Sequence, residues 1–457
     1  MMKKLATLLL AAGMVVSASA PANAVDVKVD GFYKFSFMTG QTGFDGTNDE
    51  NVRQRMRLGL TMAASENLSG YFQFQVGSEH WGTTDDTNGH KKGETIYTRQ
   101  VYIDWKVPGT DVQVRMGRQG LGLPADAFGG NAVLCANWGV RDGIVVTSPV
   151  TDWLGLSAVW TRIGLAESYN GAGNSTDLDQ NKSEDVYALV ADMKFNGVSG
   201  SVWAAYATID GSGSFTSGDN NFVSYEKTPA GDMTWSDDGK AWWVGFTSTF
   251  TYFDPFTLKL SAAYGSYESS TSADLDQDGW NVQAKASYKT AFGTPVLGAW
   301  YFSGDDKDEK GIIPSAGGYF TPTLTYHDAS NGIVGGVCAY LPAGNWGVQA
   351  GIEDVSFLQG LSHNFHVTYM QGTNETLDTA KYGTYVQRDR SLYMTEDDSL
   401  VSFDLLTKYE IYKNLNVYLE TSYIISDFDS SYKDAKTNKR LLSEDDWRAE
   451  LIFVYDF

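Results

Sequence analysis

Apolar and polar residues alternate in segments of about ten residues along the chain beyond position 24. In the clearest segment the apolar positions are Val52, Met56, Leu58, Leu60 and Met62, and the polar positions between them include Arg53, Arg55, Arg57 and Thr61. Successive side chains of a strand point to opposite faces, so each segment predicts a strand with one apolar and one polar face. Similar segments cover 27–37, 71–76, 100–107, 242–250, 280–287, 401–411 and 447–457. The repetition predicts an all-β protein.

The connections between these segments alternate between short and long. Short ones have tight-turn chemistry, at Ser65-Glu66-Asn67, Pro108-Gly109-Thr110, Ser148-Pro149, Asn196-Gly197, Phe253-Asp254-Pro255, Phe292-Gly293-Thr294 and Lys413-Asn414. Long ones are polar and rich in Gly, Asp and Ser, at 167–183, 210–239 and 304–318. Short turns on one side and long loops on the other are typical of a transmembrane antiparallel β-barrel.

The number of segments sets the size of this barrel. We count about 18 strands, with about 16 as the alternative. The stretch 319–360 is ambiguous, because 332–341 could form an extra hairpin arm or part of a large loop, which would bring the count to about 20. A barrel of this size encloses water instead of a packed core. No linker or change in composition divides 25–457, so we predict one barrel domain.

The N-terminus has the pattern of a secretory signal. Lys3 and Lys4 precede an apolar run over 5–16, and Ala22-Asn23-Ala24 matches a small-x-small cleavage site. The alternative, a membrane anchor, requires about 20 apolar residues and this run is shorter. We therefore predict a cleaved signal peptide over 1–24 and export through the inner membrane.

Composition and charge narrow the class of protein further. After position 24 no apolar run reaches the ~18 residues of a membrane helix. The chain has 14% aromatic residues, 48 glycines and only 10 prolines, which suits strands, tight turns and a membrane interface. The net charge of −22 disfavours nucleic-acid binding. Many of the acids fall in expected loops, where they are solvated.

The final segment is an aromatic strand that ends on Phe457, with Phe453 and Tyr455 on the same face. With the other patterns it resembles bacterial outer-membrane porins, whose terminal strand typically ends in Phe and is read by the barrel-assembly machinery. The resemblance is closest to the homotrimeric porins of sulfate-reducing bacteria, on the opening strand 29–34, the Arg-rich second strand and the run 114–119. It implies a Gram-negative outer-membrane location among lipid and lipopolysaccharide, and a trimer of separately conducting barrels.

The same resemblance implies that the third extracellular loop, Gln119 to Trp138, folds back into the lumen. Arg53, Arg55 and Arg57 share one strand face and should line that lumen, because a lipid-facing arginine costs about 2–4 kcal/mol near the midplane. The alternative is a soluble edge strand with a solvated basic face. Arg115, Arg141 and Lys34 are expected to extend this basic wall. Arg99 does not fit the alternation.

The facing loop holds a single acidic residue, Asp126. Basic wall and acidic loop together would create a transverse field across a constriction, which favours hydrated polar solutes. Because the basic side carries more charge, we predict a weak preference for anions. The expected function is passive diffusion of small hydrophilic solutes and ions.

Other chemistry is weakly indicated. No catalytic, phosphate-binding or metal motif is present, so we predict no enzymatic activity, cofactor or metal site. A barrel hydrolase, a secreted adhesin and a solute-specific channel remain as alternatives. The acidic run 274–279 lacks the final Glu of an EF-hand, and His363 and His366 fall on opposite strand faces. Cys135 and Cys338 could form a disulfide or remain two buried thiols.

Overall fold

The computed structural model describes residues 25–41, 48–81, 96–135, 140–169, 175–209, 239–270, 276–306, 311–318, 320, 322, 344–375, 387–388, 391–392, 394–428 and 445–457. The predicted signal peptide and the ambiguous arm 332–341 lie outside these residues, as does Cys338. In the described part of the chain, no helix is long and apolar enough to cross a bilayer.

Among the described residues, twenty strands form in chain order. They are β1 (Asp26–Gln41), β2 (Asn48–Ser65), β3 (Leu68–His80), β4 (Tyr97–Lys106), β5 (Gln113–Gly120), β6 (Val140–Thr151), β7 (Leu154–Tyr169), β8 (Ser175–Phe195), β9 (Val198–Ile209), β10 (Gly239–Phe250), β11 (Phe256–Ser269), β12 (Gln277–Tyr288), β13 (Thr294–Phe302), β14 (Asn345–Val355), β15 (Leu361–Gly372), β16 (Gln387–Arg388), β17 (Ser391–Leu392), β18 (Ser399–Tyr412), β19 (Leu415–Asp427) and β20 (Asp446–Asp456).

Eighteen of these strands form one closed antiparallel sheet, which confirms the predicted barrel and strand count. Each strand pairs with its neighbours in sequence, and β15 pairs with β18 past the two-residue strands β16 and β17. The sheet closes where β20 pairs with β1, with Tyr33 opposite Tyr455 and Phe37 opposite Leu451. Closure leaves no edge strand in the sheet, as a barrel in lipid requires.

The short turns gather at one end of the barrel and the long connections at the other. Most predicted turns are confirmed, and at Asn196-Gly197 the glycine has a φ of 71°, which suits a residue without Cβ. The turn predicted at Ser148-Pro149 is wrong, because β6 continues to Thr151. Pro149 lies opposite Gly155 beside a register shift, where a missing N–H is tolerated.

The loop predicted over 167–183 is also shorter than expected, since β7 runs to Tyr169 and β8 begins at Ser175. Polar residues in this stretch extend the strand pairing beyond the apolar zone, with Glu167 opposite Leu178. An alternation test that relies on apolar residues cannot find such an extension.

The outer face of the sheet is apolar as predicted, whereas the inner face is polar on β2 to β5 and largely apolar on β8 to β10. Outward residues are large and apolar, with Leu189 66% and Val202 52% exposed, whereas the adjacent Ala188 and Trp203 are buried inside. A row of aromatic residues crosses the outer face near the long-loop end, with mutually opposite Trp160, Tyr187, Tyr206 and Trp242. At the short-turn end the exposed aromatics include Tyr252, Phe253, Phe292 and Tyr412.

These two aromatic zones set the height of the apolar band. A strand from the level of Trp242 to that of Tyr252 would span about 25 Å along the barrel axis, at about 3.3 Å per residue and the tilt of about 40° that is typical of transmembrane barrels. That height equals the apolar band of transmembrane barrels, about 25 Å. The outer surface is therefore built to contact hydrocarbon.

Candidate functional site

The interior of the barrel is crossed by the segment 121–135, which follows β5. The backbone N–H of Ala127 donates to Ser261 Oγ of β11 at 3.0 Å, and the Phe128 ring lies 5.1 Å from that of Trp300 on β13. Strands β11 and β13 lie across the barrel from β5 in the pairing order. The segment thus reaches from one wall to the opposite wall.

Internal hydrogen bonds give this segment a defined shape. Asn131 Oδ1 accepts from the backbone N–H groups of Val133 and Leu134 at 2.9 and 3.0 Å, and its Nδ2 donates to the Pro124 carbonyl at 2.8 Å. Gly129 and Gly130 take positive φ angles of 88° and 73° at the tip. A side chain that satisfies three backbone groups holds the loop without regular secondary structure.

A second interior segment, 311–318, follows β13 and pairs with the first. The N–H of Ala316 donates to the Val133 carbonyl at 2.8 Å, and the N–H of Cys135 donates to the Gly317 carbonyl at 3.1 Å. Gly318 lies so close to the first segment that a Cβ there would be 1.8 Å from the Ala132 carbonyl oxygen. The two segments behave as one packed unit.

Arg141 of β6 lies where the two segments meet. Its Nη1 donates to the carbonyls of Leu121 and Cys135 at 3.1 and 3.0 Å, and its Nη2 to those of Ala316 and Gly317 at 3.4 and 3.5 Å. The side chain was predicted to join a basic pore wall, and it does lie on the inner face. Its hydrogen bonds, however, go to backbone carbonyls of both segments, so it positions them.

The two segments cover one side of the inner wall. Beneath them lie buried aromatic residues of β9, β10 and β13, namely Trp203, Trp243 and Trp300. Trp243 Nε1 also donates to the Pro314 carbonyl at 2.8 Å. The inner faces of β2 to β5 carry polar side chains that keep partial exposure, apart from the buried Gln75 and Gln119. The wetter side of the interior is therefore the side of the arginine row.

Arg53, Arg55 and Arg57 lie on the inner face of β2. In the register with β1, Lys34 is opposite Arg55 and Phe32 is opposite Arg57. Arg57 Nε donates to Gln75 Oε1 at 2.7 Å, and both Arg57 and Lys34 approach the Phe32 ring, at 5.3 and 4.9 Å from its centroid. The structure thus brings these four cations together on one patch of the wall.

Arg115 lies on the inner face of β5 in a bidentate ion pair. Its Nε and Nη2 donate to Asp104 of β4 at 2.6 and 2.8 Å, and its guanidinium stacks 4.2 Å from the Tyr102 ring centroid. A cavity of about 590 Å³ opens beside the pair, lined also by Gln119 and by 121–124. The partner Asp104 was missed as a site residue, although it occupies the polar face of its strand.

Asp126 is placed differently from the predicted partner of a basic wall. It is only 6% exposed, and its Oδ2 accepts from the Ala132 N–H at 2.9 Å and from Gln283 Nε2 of β12 at 3.2 Å. These partners are neutral, and the described residues show no arginine bonded to it. Burial raises the pKa of the Asp126 carboxyl to about 7, against the lowering effect of its hydrogen bonds.

A further charged cluster on the inner wall was not predicted. Glu353 Oε1 of β14 accepts from Lys285 Nζ of β12 at 2.9 Å and lies 3.1 Å from His366 Nε2 of β15. His363 instead bonds Thr407 Oγ1 at 2.9 Å, so the two histidines have separate surroundings. Cys135 is buried at the contact of the two interior segments.

No family model and no curated protein matches the sequence. The fold does match solved structures. Pseudomonas aeruginosa OccK9 (OpdG) aligns over 94% of this chain and 98% of its own, with a TM-score of 0.57 and 14% identity. The outer membrane protein opdK of the same organism gives 0.53 and 13% over the same shares. OprD of that organism gives 0.56 and 13%, over 94% and 95%. At these identities the likeness establishes the barrel fold.

Proposed function

We propose that this protein is an outer-membrane porin, a water-filled channel for passive diffusion of small hydrophilic solutes. The observation that carries the proposal is a closed eighteen-stranded sheet whose outer face is apolar and whose inner face on β2 to β5 is polar and partly exposed. A barrel of this size leaves room for an aqueous path. Two interior segments, 121–135 and 311–318, occupy part of the barrel interior. The remaining path for water is therefore narrower and lies beside β2 to β5.

Weak anion preference is part of the proposal. Arg53, Arg55, Arg57 and Lys34 gather on the partly exposed side of the inner wall, and Arg115 on the same side forms an ion pair with Asp104. Asp126 lies against the far wall, buried, so it adds little negative charge to the path. A cationic lining raises the local concentration of anions over cations.

The cellular setting belongs to the same proposal. A signal peptide over 1–24 would direct export, and the barrel-assembly machinery would recognise β20 together with Phe457, which follows it. By resemblance to the porins of sulfate-reducing bacteria, the barrels would assemble as homotrimers. Chemical cross-linking of the detergent-solubilised protein should then yield a trimer that heating converts to a monomer.

A solute-specific channel is the second candidate. Two structures of similar fold hold carboxylates: OpdK was solved with vanillate and OccK2 (OpdF) in complex with glucuronate. The arginine row offers donors suited to a carboxylate. A specific channel would show saturable block of ion current by one carboxylate, whereas a diffusion channel would not.

Reconstitution in planar bilayers tests the channel directly. In symmetric salt, we expect stable stepwise increases in current as single channels insert. In a salt gradient, we expect a reversal potential whose sign shows that anions pass more readily than cations. Absence of conductance from correctly folded barrels would contradict the channel. A reversal potential of the opposite sign would contradict the anion preference alone.

A further inference from the structure

Charged residues form a line across the outer surface at the long-loop end. In the pairing register Arg118 of β5 is opposite Asp142 of β6, which is opposite Arg162 of β7, which is opposite Asp185 of β8. The line continues in the same register on β9, β10 and β11. We call it the charged row, consisting of Arg118, Asp142, Arg162, Asp185, Thr208, Lys240 and Glu268.

The charged row lies on the outside of the barrel. The strand neighbours of its members are buried inside, namely Gln119, Val186, Ala207, Ala241 and Tyr267. Because side chains alternate along a strand, the row must face outward. Such a row is absent from the apolar zone below it, where outward residues such as Leu189 and Val244 are hydrophobic.

The row keeps capacity for a partner. Arg118 Nη1 lies 3.2 Å from Asp142 Oδ2, but their side chains remain 41% and 67% exposed. Arg162 forms two 2.8 Å bonds to Asp185, and its side chain remains 35% exposed. Lys240 is exposed, and the described part of the chain gives it no ion pair. Three cations therefore stand along the row at spacings of about 10 and about 14 Å, at about 4.8 Å per strand.

The level of the row identifies its surroundings. Trp160, Tyr187, Tyr206 and Trp242 lie two residues below Arg162, Asp185, Thr208 and Lys240 on the same strands. Tyrosine and tryptophan concentrate where hydrocarbon meets the headgroups, so the row lies at headgroup level. A second copy of the chain fits less well, because the centre of a protein interface is depleted in charged residues.

We propose that the charged row binds the phosphates of the outer-leaflet glycolipid. Arg118, Arg162 and Lys240 would contact phosphate oxygens, as basic sites do for anionic headgroups. Asp142 and Glu268 would take divalent cations that bridge to neighbouring phosphates, since hard cations prefer carboxylate and phosphate oxygens. Alternating charges in the protein thus match alternating phosphates and cations in the lipid layer.

The test uses the full barrel in a neutral detergent, titrated with diphosphorylated lipid A and Mg²⁺ while the thermal midpoint is followed. We expect the midpoint to rise, and to rise less with dephosphorylated lipid A or with a chelator. Lys240→Gln and the double variant Arg162→Gln/Asp185→Asn should each weaken the apparent affinity about fivefold per cation removed. Lys413→Gln, the same change at the opposite end, should leave it unchanged.

Three results would overturn the proposal. Equal responses to phosphorylated and dephosphorylated lipid would mean that the acyl chains alone bind. Equal affinity in Lys240→Gln and Lys413→Gln would place the phosphate site elsewhere. Row variants that shift the cross-linked oligomer without changing lipid affinity would identify the row as a subunit contact. Conductance measured on the same samples reports the channel separately.

Discussion

Asp126→Asn should abolish a pH dependence that is built into the docking of the segment 121–135. The carboxyl has a pKa of about 7 in the docked segment and 3.8 in the ordinary state. A carboxyl whose pKa is raised by docking binds its proton more tightly in the docked form. Docking is therefore strongest below about pH 4, weakens as the pH rises, and has lost this contribution above about pH 7.

The size of the effect follows from the same shift. About three pKa units at about 1.4 kcal/mol each give at most about 4 kcal/mol of docking free energy between acidic and neutral pH. Asparagine carries no charge at any pH. Its oxygen can accept from the Ala132 N–H, and its amide can donate to Gln283 Oε1, which has no hydrogen-bond partner among the described residues.

Two assays at about pH 5 and about pH 8 measure the pH dependence of docking. One is the thermal midpoint of the detergent-solubilised protein, and the other is the rate of channel closure in planar bilayers. Wild type should unfold at lower temperature and fluctuate more at the higher pH. Asp126→Asn should show a smaller difference in both. Asp111→Asn, in the exposed turn after β4, is the matched control and should behave as wild type. An Asp126→Asn variant with the wild-type pH response would refute the argument.

Three further variants examine the interior. Arg141→Lys keeps the charge but loses the fork that reaches four carbonyls, so docking should weaken by about 3 kcal/mol and single-channel noise should increase; unchanged noise would contradict the positioning role. Gly318→Ala should separate the two interior segments and lower the thermal midpoint by the equivalent of about 1–3 kcal/mol, whereas Gly155→Ala, whose Cβ would meet nothing closer than 4.0 Å, should not. Arg57→Glu should shift the reversal potential toward cations, more than Lys413→Glu does at the short-turn rim; equal shifts would remove Arg57 from the conducting path.

Local sequence patterns predicted most of the barrel. Period-two alternation shows which residues share a face of a strand, and turn residues show where the strand ends. It placed Arg53, Arg55 and Arg57 together on one strand face, which is the inner face of the barrel, and their role in lining a pore stays a prediction. It could not find the Arg115–Asp104 pair, since a cross-strand pair depends on register, and register depends on turn length. Arg99 did not fit because a β-bulge interrupts its strand, where Gln73 pairs with Gln100 but Phe74 with Thr98.

The burial of Asp126 could not be predicted from the sequence, for a different reason. Its burial depends on Phe128, which packs against Trp300, on Ser261, which accepts from the Ala127 N–H, and on Gln283, which donates to Asp126. Trp300, Ser261 and Gln283 are all distant from the loop in the chain. The sequence pattern of a polar, glycine-containing loop predicts that an acidic residue in it is exposed to solvent. Only tertiary contact reveals that it is desolvated.

The pairing of β20 with β1 has a consequence for biogenesis. Until these two strands pair, the incomplete sheet has two edge strands with unpaired backbone N–H and C=O groups. Such edges can pair with other chains and lead to aggregation. The strands β1 and β20 are far apart in the sequence, so their pairing has a large loop-closure entropy. We therefore expect this pairing to form late in folding. Substitutions where these strands pair, such as a proline replacing Leu451 opposite Phe37, should therefore depress the yield of inserted protein far more than the same replacement in an exposed loop.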